Sequence, residues 1–130
     1  MTAYVYTTSS PGVRLLEHVR EDTDTNESVF KRILCVEVLS NGKWVEDGLY
    51  KEWLLDGSVY ECTYVLGKIH GVERQWYPNG QLSMERHRAF GKEHGVSRGW
   101  HPNGQLMYES QYVNGVEVSG KAWDENGNPR

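Results

Sequence analysis

Short stretches of aromatic and β-branched residues, separated by glycine-bearing polar turns, recur along the chain with a fixed period. Trp53-Leu54-Leu55-Asp56-Gly57, Trp76-Tyr77-Pro78-Asn79-Gly80, Trp100-His101-Pro102-Asn103-Gly104 and Trp123-Asp124-Glu125-Asn126-Gly127 superimpose, with their tryptophans 23, 24 and 23 residues apart. Gly48, Gly71 and Gly95 precede the first three tryptophans by five residues, whereas Gly120 precedes the fourth by three. A further set, Gly67, Gly91 and Gly115, closes each full unit. Asn-Gly after Pro supplies a positive φ at little cost and the flanks are aromatic or β-branched, so each unit reads as turn, strand, turn, strand. On the return strands Val59, Leu82 and Leu106 stand two residues past the turn glycine. Glu61, Glu85 and Glu109 fall in register once the first unit is allowed a single deletion. Hairpins that pair edge to edge place equivalent residues two strands apart, roughly 10 Å, so Trp and Glu are expected in columns. The pattern predicts an all-β fold, an elongated antiparallel array of repeated β-hairpins.

The stretch His70-Gly71-Val72-Glu73-Arg74-Gln75-Trp76-Tyr77-Pro78-Asn79-Gly80-Gln81-Leu82 resembles the MORN repeat, in its bacterial and viral variant form. The resemblance covers residues 48 to 127, with a degenerate leading unit at Asn41-Gly42-Lys43-Trp44. It implies an elongated, twisted antiparallel sheet with a groove that serves as an interaction or assembly module. Proteins of the variant type include antitoxin-like bacterial proteins and small proteins of large DNA viruses. The resemblance therefore implies a structural or assembly component of a larger complex such as a virus particle, with an antitoxin or immunity protein as the alternative. It brings no catalytic residue and no cofactor, and the expectation is a non-enzymatic protein.

Residues 1–40 lie outside the repeats and are expected to form an N-terminal capping segment, leaving 41–130 as the hairpin array. Tyr4 to Thr8 and Ser28 to Leu39 have strand character, and Val13 to Arg20, readable as strand or short helix, is taken as strand. Such a cap would cover the first open edge of the array. The acidic stretch from Glu21 to Glu27 reads as an exposed loop.

Composition narrows the function. The hydrophobic 38% includes 8 Tyr and 5 Trp but only 2 Phe, so much of the apolar material is amphipathic and suits half-wet surfaces. A formal charge of −4 disfavours sequence-independent phosphate binding, and nucleic acid is not expected as a partner. The longest apolar runs, such as Ile33-Leu34-Cys35-Val36, fall far below the roughly 20 residues that cross a bilayer. Without a polybasic run, membrane binding is not expected. Cys35 and Cys62 show no CxxC pairing, and Met1-Thr2-Ala3-Tyr4-Val5-Tyr6 reads as no secretory signal. A cytoplasmic home is expected, or a virion if the protein is virus-encoded.

Three constellations invite chemistry. Asp22, Asp24 and Asn26 mimic the opening of a calcium loop, but Glu27 and Ile33 occupy the places that need Gly and Glu. His70 and His94 share a turn position in adjacent units, held by Asp47 and Ser119 elsewhere. At roughly 10 Å their rings cannot share a metal whose bonds are near 2.1 Å, and a turn role is expected. Glu85 and Glu109 have the column spacing of an acid/base pair, yet repetition alone explains their recurrence. No metal site is expected.

Binding is the more informative prospect. Tyr77, His101 and Tyr112 are the aromatic candidates for a partner-facing groove, since Tyr, Trp and Arg anchor interfaces. Arg86 and Arg88 belong to a cationic concentration with Arg74, Lys92 and Arg98, set against acidic residues 46–61. Ala122 and Trp123 mark a last strand whose turn is followed only by Asn128-Pro129-Arg130, too few residues for a return strand. That edge is expected to stay open and to recruit a partner protein or a second copy by strand addition.

Overall fold

A computed structural model describes residues 2–20 and 30–130; the Glu21–Glu27 stretch and its Asp22/Asp24/Asn26 motif lie outside the described residues. The strands are β1 (Thr2–Ser10), β2 (Val13–Arg20), β3 (Phe30–Ser40), β4 (Lys43–Leu54), β5 (Val59–Val65) and β6 (Lys68–Ile69). They continue with β7 (Gly71–Trp76), β8 (Leu82–Ala89), β9 (Lys92–Glu93), β10 (Gly95–Trp100), β11 (Leu106–Val113) and β12 (Val116–Ala122). All join one antiparallel sheet in the order β1-β2-β3-β4-β5-β7-β8-β10-β11-β12, with β6 on β5 and β9 on β8. The fold is the all-β array of hairpins that the periodicity predicts. Val13–Arg20 is a strand, and β1 to β3 prolong the same sheet up to the first hairpin.

The tryptophan-side turns are alike because each repeats one set of bonds. Gly57, Gly80, Gly104 and Gly127 donate to the carbonyls of Leu54, Tyr77, His101 and Asp124 at 2.8–3.1 Å. In the second and third units the Asn side chain also accepts from the backbone two residues on, Asn79 from Gln81 and Asn103 from Gln105, each at 2.9 Å. The fourth turn corrects the sequence reading. Asp124 Oδ1 accepts from Asn126 and Asn128, Trp123 bridges Pro129, and Arg130 N donates to Ala122 O at 2.9 Å. Three residues thus suffice to begin a return, because the Asp124 carboxylate organises the turn that places them.

On the opposite rim, adjacent repeats are latched by paired bonds. Gly67 N donates to Glu46 O at 2.7 Å, Gly91 N to Ile69 O at 2.7 Å and Gly115 N to Glu93 O at 2.8 Å. The residue before each glycine donates to a side chain of the preceding repeat: Leu66 N to Asp47 Oδ1 (2.9 Å), Phe90 N to His70 Nδ1 (3.1 Å), Asn114 N to His94 Nδ1 (3.3 Å). Asp and His are interchangeable here because each offers one acceptor at the same height. His70 and His94 therefore do hold a turn role.

Little of this is a conventional core. Among the described residues the buried apolar side chains are Cys35 and Cys62, at 3% and 1% exposure. Ser58, Glu73, Ser97 and Ser110 are buried polar residues.

The rim turns hold Asn41, Leu66, Phe90 and Asn114 at positive φ, between 46° and 51°. Asn tolerates this region, whereas Leu and Phe are strained in it by about 1–2 kcal/mol. Leu66→Asn is therefore expected to raise unfolding stability by about 1 kcal/mol in urea denaturation. Phe90→Asn should gain less, because it also removes a ring contact with His70 at 4.5 Å between centroids. A loss of stability in Leu66→Asn would contradict the strain argument.

Candidate functional site

Strand alternation sorts the side chains onto two faces. The tryptophan-bearing face carries an alternating ladder of charge. Lys51 pairs in register with Glu61, Glu61 with Arg74, Arg74 with Glu85, Glu85 with Arg98, Arg98 with Glu109, and Glu109 with Lys121. Three rungs close as ion pairs: Lys51–Glu61 at 3.7 Å, Arg74–Glu85 at 2.9 Å and Arg98–Glu109 at 2.9 Å. The expected glutamate column is present, but an arginine stands between each pair of its second and third members and their neighbours. Glu85 and Glu109 are thus held apart by Arg98, the opposite of an acid and base converging on one substrate atom.

The other face gathers Tyr50, Tyr60 and Tyr64 around Cys62. Tyr50 meets Tyr60 and Tyr64 edge to face at 6.3 and 5.5 Å. Tyr50 donates to Glu52 and Tyr60 to Glu73. Glu73, only 4% exposed, also accepts from Arg88 Nε at 3.2 Å. Burial, then the neighbouring carboxylates, pushes the Tyr50 and Tyr60 hydroxyls well above the usual phenol range. Burial raises the Cys35 and Cys62 thiols to about 11 each. Such thiols are protonated and inert at neutral pH. Among the described residues no cluster of three His, Cys, Asp or Glu side chains is arranged to hold a metal ion.

Several binding candidates are engaged in holding repeats together. Tyr77 donates its hydroxyl to Trp100 O at 2.6 Å, and His101 Nε2 contacts Trp123 O at 3.0 Å, each reaching into the next repeat. Arg88 is tied to Glu73 and donates to Gly91 O at 3.1 Å. Arg86 lies 3.5 Å from Glu93 Oε1, and its Nε has no hydrogen-bond partner. With Arg74 and Arg98 in the ladder, four of the five cations in the sequence-predicted patch face carboxylates. Tyr112, opposite Gly95 and Glu117, has its hydroxyl raised by burial and by Glu93 and Glu117. Ala122 and Trp123 lie at the last strand, where Arg130 covers the Ala122 carbonyl.

The residues that face solvent with most apolar area were not singled out by sequence. Leu66 and Phe90 are 62% and 61% exposed on neighbouring turns of the latched rim, where Lys43, Lys68 and Lys92 follow the turn glycines and are also exposed. The signal was available: Asn41-Gly42 and Asn114-Gly115 have the favoured turn pair, and Leu66-Gly67 and Phe90-Gly91 depart from it.

Comparison with known families matches residues 69–88 and 93–114 to the MORN repeat variant. Those segments correspond to β7 with β8 and β10 with β11, the paired strands of the second and third units. Two of the chain's repeats are thus similar to the MORN repeat variant. MORN repeats are generally non-catalytic modules for interaction with proteins or membranes. No curated protein matches the sequence. Among solved structures, the crystal structure of TarM aligns with 89% of this chain and 21% of its own, at 12% identity and a TM-score of 0.37. The chain spans about a fifth of that structure's length, and a similarity this low carries no argument about fold or activity. No helix among the described residues is long and apolar enough to cross a membrane.

The charge ladder and the buried thiols yield two expectations. Arg98→Glu places three carboxylates side by side at positions 85, 98 and 109, converting two favourable cross-strand pairs into repulsive ones. A loss of about 1–2 kcal/mol is expected from pair energies of 0.2–1 kcal/mol each. Urea midpoints measured in low and in 1 M salt should show the loss shrinking as screening grows; an unchanged midpoint in low salt would remove the ladder's stabilising role. The second concerns alkali. A thiol ionising at 9.0 when unfolded and about 11 when folded stabilises the fold fully below pH 9 and progressively less between 9 and 11, because the unfolded chain loses the proton first. Denaturation midpoints should fall from pH 9 upward. In the C35A/C62A variant the fall should begin near pH 10, where unfolded tyrosine ionises.

Proposed function

We propose that this chain is a non-catalytic protein-binding component of a larger assembly, engaging an acidic, apolar-bearing neighbour along the latched rim. The observation that carries the reading is the pair Leu66 and Phe90: large, exposed, and held at φ 46° and 48° where asparagine serves in the flanking turns. Strain and solvent exposure both cost stability at these two positions. A surface that bears such a cost is best understood through what it contacts. Lys43, Lys68 and Lys92 set positive charge beside the apolar tips, which favours carboxylates in the partner.

Among assemblies, a virus particle is the one we propose first, because the repeat resembles the form found in virus-encoded variants. The test is crosslinking in the native source followed by mass spectrometry, repeated with Leu66→Asn/Phe90→Asn. Recovery of scaffold or particle proteins in fixed ratio, lost at least tenfold in the double variant despite its equal or higher stability, is the expected result. Capture of a single small toxic enzyme would replace the assembly reading with immunity. Unchanged capture by the double variant would move the interface off this rim.

A further inference from the structure

The latched rim has a period of its own. Its successive hairpin turns carry Asn41-Gly42-Lys43, Leu66-Gly67-Lys68, Phe90-Gly91-Lys92 and Asn114-Gly115-Val116, so in the first three a tip residue is followed two places later by lysine. The latches tie each turn to the one before it, through Gly67 N to Glu46 O, Gly91 N to Ile69 O and Gly115 N to Glu93 O. Equivalent residues are therefore two strands apart, about 10 Å. The two apolar tips stand in the middle of this line, and exposed Leu39 and Val116 continue the apolar row at the turns on either side. Lys43, Lys68 and Lys92 form a second row, all exposed. Unlike the arginines of the ladder, none of these three is paired with a carboxylate among the described residues.

What fits this line follows from which groups are already engaged. The backbone N–H groups of Leu66, Gly67, Phe90 and Gly91 are all donated to the preceding repeat. The turns thus offer no edge to an added strand, and recognition falls to side chains. The apolar tips are isolated protrusions, whereas a polyproline segment needs an aromatic-lined groove. Regularly spaced protrusions act as knobs, and the surface that receives them is an α-helix, whose side chains frame holes that recur with every heptad. Seven residues at about 1.5 Å each advance about 10.5 Å, close to the period of the rim. The four turns span three periods, about 30 Å, which a helix of about 20 residues matches. A second copy of this chain fits less well, because rim against rim would set the three lysines against their own kind.

We propose that the rim receives an amphipathic α-helix of a partner protein, laid across the turns so that Leu66 and Phe90 enter its apolar seam one heptad apart and acidic residues beside the seam pair with Lys43, Lys68 and Lys92. The apolar contact supplies most of the affinity, and the lysine row selects an acidic helix over a basic one. This rests on the reading of the rim as the binding surface and adds the shape, period and charge of what binds there.

The probe is a capped synthetic peptide of three heptads with leucine at a and d, glutamate at e and g, and alanine or glutamine elsewhere; the glutamates oppose its own pairing. Titrated into the full, isotope-labelled chain, it is expected to shift backbone amide resonances at 41–43, 66–68 and 90–92. Lysine in place of the glutamates should weaken binding about tenfold. Reordering the same residues so that leucine alternates removes the helical seam and should abolish binding. Leu66→Asn/Phe90→Asn should weaken the acidic peptide at least tenfold, and the peptide series on the unmodified chain stands even if that variant disturbs the sheet. Equal binding of the acidic and basic helices, equal binding of the alternating peptide, or shifts outside the rim overturns the proposal. The same shifts produced by phosphatidylserine vesicles and not by the peptide would assign the rim to a lipid surface and overturn it; shifts that grow with protein concentration alone would assign the rim to a second copy and do likewise. If the acidic helix fails to bind while the double variant still loses its native crosslinks, the helical partner is wrong and the rim reading survives. If the helix binds at the rim while those crosslinks are unchanged, the helix proposal is supported and the rim is not the contact within the native assembly.

Discussion

A single-layer sheet has no second layer to bury against, so its cohesion depends on how each hairpin is bound to the next. The described residues make this constraint visible: two cysteines form the buried apolar set, and polar Ser and Glu side chains occupy the other buried places. Cohesion comes from backbone ladders and from latches at both rims. At one rim the turn glycine and the residue before it both donate to the preceding repeat; at the other, Tyr77, Asn79, His101 and Asn103 reach the carbonyls of the following one. These bonds fix both the spacing and the rotation between units. They leave the faces free to be polar, because neither face is required to supply a hydrophobic layer.

The alternating charges act on register. A strand slipped by one residue would turn its ladder charge to the other face, and one slipped by two would set a charge beside an uncharged or like-charged neighbour. Each rung is half exposed and contributes modestly, but the rungs share members, so an error at one is felt at two. The Tyr60–Glu73–Arg88 cluster works likewise on the opposite face, where the buried carboxylate receives two donors from two different repeats. Register is thereby specified on both faces without an apolar core.

Much of this was legible in the sequence. The period of the tryptophans and glycines defines the hairpins, and the turn role of His70 and His94 follows from their place beside Gly71 and Gly95. What the tryptophan spacing does not display is which strand lies beside which. The glutamate column was visible, yet Lys51, Arg74, Arg98 and Lys121, equally periodic, were not read with it because the two sets come from different strands of each hairpin and meet only through cross-strand register. The fourth turn was misjudged for a related reason: counting residues after Gly127 omits the Asp124 side chain, which bends the chain back within three residues. Tyr77 and His101 look like free aromatics in a linear reading and are found bonded to carbonyls 23 and 22 residues away.

Departures from the repeat are the places where structure and function separate. A position that only has to make the turn takes Asn, as at Asn41 and Asn114, while Leu66 and Phe90 hold the same backbone at greater cost. Their backbone N–H groups make the same latch as Asn114, so the side chain is not needed for the fold, and its apolar character is left over once the architecture is satisfied. Lys121 is the converse case. It obeys the repeat completely, two residues before its tryptophan and opposite its glutamate, and needs no explanation beyond the fold. In a sheet built by repetition, a residue that the repeat does not require is evidence of a different kind from one that it does, and here it points to an apolar and basic rim.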